Sequence, residues 1–206
     1  MKERPIIFNG DMVRAILSGR KSQTRRVIAN VGADNCIPLQ KQTKTKDGIY
    51  TYVMDAPMYG LCPFGQVGDR LWVRETFAGH YLDDDQIQDI KDGRCKAKDL
   101  CEYRSDYGDD ADCADGWTPS IHMPRWASRI LLEITAVRVE RLNDISESDA
   151  RAEGYPVGRE VDGGAHDPWL WFRDLWDGIY PDNTFKVNPW VWVIEFKCVE
   201  VRDASK

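Results

Sequence analysis

Residues 17–28, LSGRKSQTRRVI, set an amine and a hydroxyl among arginines. Four basic side chains, Arg20, Lys21, Arg25 and Arg26, fall within seven positions, and Thr24 sits among them. A cation just past a helix C-terminus gains about 0.3–1 kcal/mol from the macrodipole; that accounts for one charge, not four. A lysine desolvated beside like charges has a lowered pKa, and once neutral it serves as a general base. With Lys21 three positions away, the Thr24 hydroxyl could be deprotonated to attack an amide carbonyl, or could hold a water molecule in place. Read alone, Thr24 is an ordinary strand threonine. Arg20, Arg25 and Arg26 form either a solvated strand edge or a set of forks for phosphate.

Three further positions carry chemistry. In VGDRLWVRETF, residues 67–77, strand alternation puts Glu75 with Leu71, Val73 and Phe77. A carboxylate on an apolar face is either paired inside the fold or lines a pocket. The opposite face holds Trp72 between Arg70 and Arg74, a surface that would pack in the core or stack on a base. Glu153, in RAEG, falls in the last turn of a short helix, where the dipole mildly disfavours a carboxylate. It is either solvated there or aimed across a cleft at Lys21.

These side chains need elements to position them. RPIIF reads as a strand and NGDMVRAILSG as a helix, with Asn9 as N-cap, an apolar stripe of Met12, Val13, Ile16 and Leu17, and Gly19 in the left-handed position beyond its end. TRRVI is extended. GIYTYVM suggests a hairpin, and RLWVRETF is a strand. ASRILLEITAVRVERL is a long strand whose apolar phase switches near Ala136, as at a bulge or bend. SESDARAEG is a helix with a capping-box pattern at Ser146 and Asp149 and a stop at Gly154. DPWLWFRDLWDG is a second, with Asp167 as cap and Pro168 opening it. NPWVWVIEFKCVEV closes the chain as a strand. The pattern predicts one α+β domain over residues 1–206: a small, mostly antiparallel β-barrel with three or more short helices and loop-rich insertions near 29–68 and 78–120.

The 206 residues carry a net charge of −6, which argues against a general coat for phosphates. The charge is uneven. Residues 1–30 hold seven Lys/Arg against two acids, whereas residues 81–116 hold twelve acids against five bases. One basic surface and an acidic insertion follow. No apolar run is long enough to span a membrane, and no signal peptide is visible, so a cytoplasmic location is expected. The six cysteines include no C-x-x-C pair, and the three histidines lack zinc spacing. Free thiols, no metal and no cofactor are expected. An alternative is an irregular zinc knot of Cys95, Cys101 and Cys113 with His80 or His122.

Three segments together resemble the ASCH domains, a branch of the PUA-like barrels: Gly19-Arg20-Lys21 with Thr24, Gly68-Asp69 at a strand start, and Ala150 with Glu153-Gly154 at a helix end. The closing strand WVWVIEFK is similar too, and PSIHMPRWASRI, residues 119–130, resembles ASCH proteins of phages and prophages. The resemblance implies a PUA-like barrel that takes RNA or a modified base in a cleft. One small bacterial branch removes the acetyl group from acetylcytidine with a Lys, a Thr and a Glu. Matched by motif, these roles fall on Lys21, Thr24 and Glu153, with Arg20, Arg25, Arg26, Trp72, Arg74 and Glu75 as substrate or nucleic-acid contacts. This chain is about twice as long as those enzymes, has Ser22 where a threonine commonly follows the lysine, and carries both insertions. The expected function is therefore hydrolysis of an amide on a modified cytidine. The alternatives are a non-catalytic RNA or modified-base module and a metal-independent ribonuclease.

Overall fold

The computed structural model describes residues 1–31, 35–39, 49–79, 82–107, 112–113, 116–160 and 164–201. In chain order the elements are β1 (Glu3–Ile7), α1 (Gly10–Leu17), β2 (Gln23–Val27), β3 (Cys36–Leu39), β4 (Ile49–Tyr52), β5 (Arg70–Arg74), β6 (Phe77–Ala78), α2 (Asp84–Lys91), α3 (Ala97–Leu100), β7 (Glu102–Tyr103), β8 (Ile130–Arg141), α4 (Glu147–Ala152), α5 (Val157–Glu160), α6 (Asp167–Ile179) and β9 (Trp190–Val201). Short 3-10 turns link several of them.

Five strands are hydrogen-bonded in the order β1-β5-β8-β9-β2. β1 and β5 run parallel, whereas β5/β8 and β2/β9 are antiparallel. The α+β class is as expected, with a mixed sheet. Among the described residues the ladder ends at β1 and β2 and does not close into the expected barrel. β3 and β4 pair antiparallel, so the GIYTYVM segment does supply one strand of a two-stranded unit; residues 40–48 between them lie outside the described set.

The chain divides into two compact units: residues 1–19, 69–133 and 197–206, and residues 20–68 and 134–196. In the first unit, α1 is set by its cap. The Asn9 side chain accepts from the Met12 amide at 2.9 Å, and Gly19 takes φ 75° past the helix end. The buried face is Val13, Ala15 and Ile16. Leu17, expected in that stripe, is exposed instead at the last position of the helix, and Ala15 is buried. Asn9→Ala should cost about 1 kcal/mol of stability, read as a lower urea midpoint with an unchanged slope. A satellite core of Phe77, Cys101, Tyr103, Met123 and Ala127 sits in the same unit. The acidic stretch thus contributes core residues as well as loops.

The second unit packs Leu142, Ile145, Ala150, Phe172, Trp176, Phe185, Val191 and Val193 into one cluster. Each large side chain there contributes roughly 1.5–3 kcal/mol by leaving water. α4 begins where predicted: the Ser146 hydroxyl accepts from the Asp149 amide at 3.1 Å, and Gly154 follows the helix at φ 109°. α6 begins one residue earlier than expected. His166 takes the cap position, and Asp167 opens the helix with its carboxylate held by the Tyr155 hydroxyl and Arg159. Those partners make Asp167 more useful as an ion-pair anchor than as a cap. β8 is buried on both faces at Ile130, Leu131 and Leu132, and beyond them at Ile134 and Val139, so burial does not simply change phase at Ala136 as expected.

Candidate functional site

Lys21 sits in the second unit, between α1 and β2, and bridges the backbone of Glu153 just past α4. Two backbone bonds fix this docking. The Ser22 amide donates to Ala152 O at 2.9 Å, and the Phe196 amide donates to Ser22 O at 2.8 Å. The Lys21 side chain has no solvent exposure. Its Nζ donates to Glu153 Oε2 at 2.6 Å and to Glu153 O at 2.8 Å. The carboxylate at the helix end is therefore not solvated; it is aimed at Lys21 and buried with it.

Arg25 completes the cluster from β2. Its guanidinium donates to Glu153 Oε1 at 3.0 Å and to Glu140 Oε1 at 2.6 Å, and lies 3.4 Å from Asp149 Oδ2. It also stands over the Phe172 ring. Gln23, two residues earlier on the same strand face, donates to Asp149 O and Oδ1. Arg138 ties Glu140 to Asp149 and reaches Glu195. Glu153 thus takes one cation on each oxygen, the lysine on Oε2 and the arginine on Oε1.

Burial lowers the Lys21 pKa, and the attraction and hydrogen bond of Glu153 oppose it without restoring the ordinary value of 10.5; the positive charges of Arg26 and Arg25 push the same way as burial. For Asp149 burial acts upward, but hydrogen bonding by Ser146 and Gln23 and the charges of Arg25 and Arg138 outweigh it and hold the carboxyl below its usual range.

Thr24 is buried on β2, opposite Ile194 of β9. Strand alternation gives it the phase opposite to Gln23 and Arg25, whose side chains meet α4. Arg20 donates to the carbonyls of Gly154 and Tyr155, at 3.4 and 3.2 Å, and so clasps the same turn from outside. Arg26 is half-buried and donates to the Tyr180 hydroxyl. Arg25, considered from the sequence as a phosphate fork, has no exposed side-chain surface and faces three carboxylates.

Trp72, Arg74 and Glu75 belong to the other unit. Trp72 is buried, with the guanidinium of Arg74 4.9 Å and that of Arg125 6.0 Å from its ring centre. Glu75 is buried and paired: Arg129 donates to its Oε1 at 3.0 Å and Oε2 at 3.1 Å, and the Ser105 hydroxyl donates to Oε2. Arg129 also holds Asp106. Burial works against its charge, but Asp106 and Glu75 together outweigh that and raise the Arg129 pKa.

Sequence reasoning found Lys21, Arg25 and Glu153 but missed Gln23, Glu140 and Asp149. A signal existed for Glu140: it shares strand phase with Arg138. Asp149 was legible only as a capping residue. Among the described residues no group of His, Cys, Asp or Glu is arranged to hold a metal, and no helix is long and apolar enough to cross a membrane. His80, a member of the alternative zinc knot, lies outside the described residues.

No family model and no curated protein matches the sequence. Solved structures do give matches. The chain is similar to an ASCH domain. That domain, from Lactobacillus crispatus JV V101, is 15% identical, with 97% of this chain and 80% of that one covered and a TM-score of 0.37. A DUF984-family protein of Enterococcus faecalis V583 is 12% identical, with 100% and 86% covered and a TM-score of 0.41. Both likenesses are remote in sequence and in superposition, and neither bears on activity.

Proposed function

We propose that this chain is an ASCH-type, PUA-like domain acting on nucleosides or RNA, and that it hydrolyses an amide on an acylated cytidine. The observation that carries the reading is the buried pair of Lys21 and Glu153, with Nζ 2.6 Å from Oε2. A lysine with a lowered pKa, hydrogen-bonded to a carboxylate, is a base and a proton carrier held at contact.

In this reading Lys21 takes the proton from a water molecule as the water oxygen bonds to the amide carbon; Thr24, in the strand phase opposite to Arg25, stands on the other side of β2. The tetrahedral intermediate then collapses and the carbon–nitrogen bond breaks. Glu153 relays the proton to the departing exocyclic amine, leaving cytidine and a carboxylic acid. Arg25 positions Glu153 and touches no substrate. Arg20 and Arg26 are phosphate contacts where the base lies within RNA. Because the Lys21 side chain has no exposure, substrate entry requires the Glu153–Gly154 turn to shift.

That same lack of exposure favours a second reading, in which the pair only locks α4 against β2 and the domain binds a modified base without turnover. A mass-detected screen of acylated cytidines, free and within RNA, decides between them. Conversion of a free acylcytidine at a rate insensitive to salt is expected. No conversion at high enzyme concentration, together with RNA binding that weakens steeply with salt, would establish the second reading.

A further inference from the structure

A cleft of about 460 Å³ opens within the first unit, lined by Phe8, Glu75, Thr76, Arg104, Ser105 and Ser120 among others. Its size is that of a small-molecule site, and none of its lining residues takes part in the Lys21 cluster. Glu75 is 2% exposed and is part of the lining, so a buried acidic residue borders the cavity.

The state of that carboxylate defines what the cleft accepts. Oε2 receives both Arg129 Nη2 and the Ser105 hydroxyl, whereas Oε1 receives only Arg129 Nε. A carboxylate has about four lone-pair sites. Among the described residues Glu75 fills three, and the open one is on Oε1. The missing partner is a hydrogen-bond donor. It need not be a cation, because Arg129 pairs with Glu75 while also holding Asp106, Arg14 pairs with the other lining acid, Asp11, and Arg104 adds a positive charge to the lining. Thr76 and Ser120 add hydroxyls that serve as donor or acceptor. Phe8, buried, adds an apolar wall.

We infer that this cleft binds an uncharged nucleobase bearing an exocyclic amino group, which donates to Glu75 Oε1. Carboxylates read the amino group of cytosine in this way. The site is separate from the Lys21 cluster and stands whether or not that cluster is catalytic. Arg129 and Ser105 fix the acceptor's direction, so a base with a carbonyl in place of the amine would set two acceptors against each other.

The test is calorimetric titration of the full chain with unmodified nucleosides. Cytidine should bind at least about tenfold tighter than uridine, and guanosine likewise tighter than inosine, which lacks the amine. Ser120→Trp, at the half-exposed rim, should abolish binding while the melting temperature holds. Lys21→Ala should leave the affinity unchanged, which separates this site from the proposed hydrolase centre. Equal affinity for cytidine and uridine overturns the inference. So does the absence of saturable binding at millimolar nucleoside, or binding that survives Ser120→Trp and disappears with Lys21→Ala.

Discussion

Lys21→Ala should lower kcat/KM for an acylcytidine by two to four orders of magnitude, roughly the range of general acid–base catalysis. Lys21→Arg should be nearly as inactive. Arginine preserves a charge opposite Glu153 but cannot release a proton at any accessible pH. The comparison separates chemistry from architecture, because an anchoring cation is replaceable by arginine and a base is not. The wild-type pH profile carries a sign as well. Burial lowers the Lys21 pKa, so the rising limb of kcat/KM should lie below 10.5, the ordinary lysine value. Stability follows from the same shift. Between the folded and unfolded pKa values the unfolded chain holds the extra proton, so the contribution of this group to stability rises with pH across that window. Below it the cost of burying the charge is present in full. Lys21→Arg within threefold of wild-type turnover would remove Lys21 from the role of base.

Much of this site was legible from the order of the residues, and the parts that were not have a common cause. Helix ends are local: Asn9, Ser146 and Gly154 act on amides or on φ within a few residues, so caps and stops can be read directly. Strand phase is local too, and it placed Glu75 correctly on an apolar face. What a buried charge meets is not local. Glu75 finds Arg129 and Ser105, 54 and 30 residues away, and neither partner is marked in the sequence. Arg25 looked like a free fork because its neighbours are basic, but three carboxylates from β8, α4 and the turn after α4 surround it. Barrel closure has the same difficulty. Periodicity locates strands, but which edges join is a long-range outcome, and the ladder ends at β1 and β2 among the described residues.

Arg25→Ala should cost about 3–5 kcal/mol of folding stability, as expected when one partner of a buried ion pair is removed. The guanidinium has no exposure and neutralises Glu153, itself 4% exposed, so its loss leaves buried negative charge with Lys21 as the one cation on Glu153 among the described residues. Glu140 and Asp149, at 16% and 25% exposure, recover some hydration and account for the smaller share. Arg25→Lys should not rescue the loss, because a single ammonium cannot span Glu140 and Glu153 as the planar fork does. Urea unfolding measures both variants, and a loss below about 1 kcal/mol for Arg25→Ala would mean that the cluster is hydrated and loosely held. The same substitution has a catalytic signature that a purely structural arginine would lack. Arg25 is one of the like charges that lower Lys21. Without it the lysine pKa rises, so in any folded Arg25 variant lacking the charge, such as Arg25→Met, the rising limb of kcat/KM should move to higher pH. A limb that stays in place would uncouple Arg25 from the proton on Lys21.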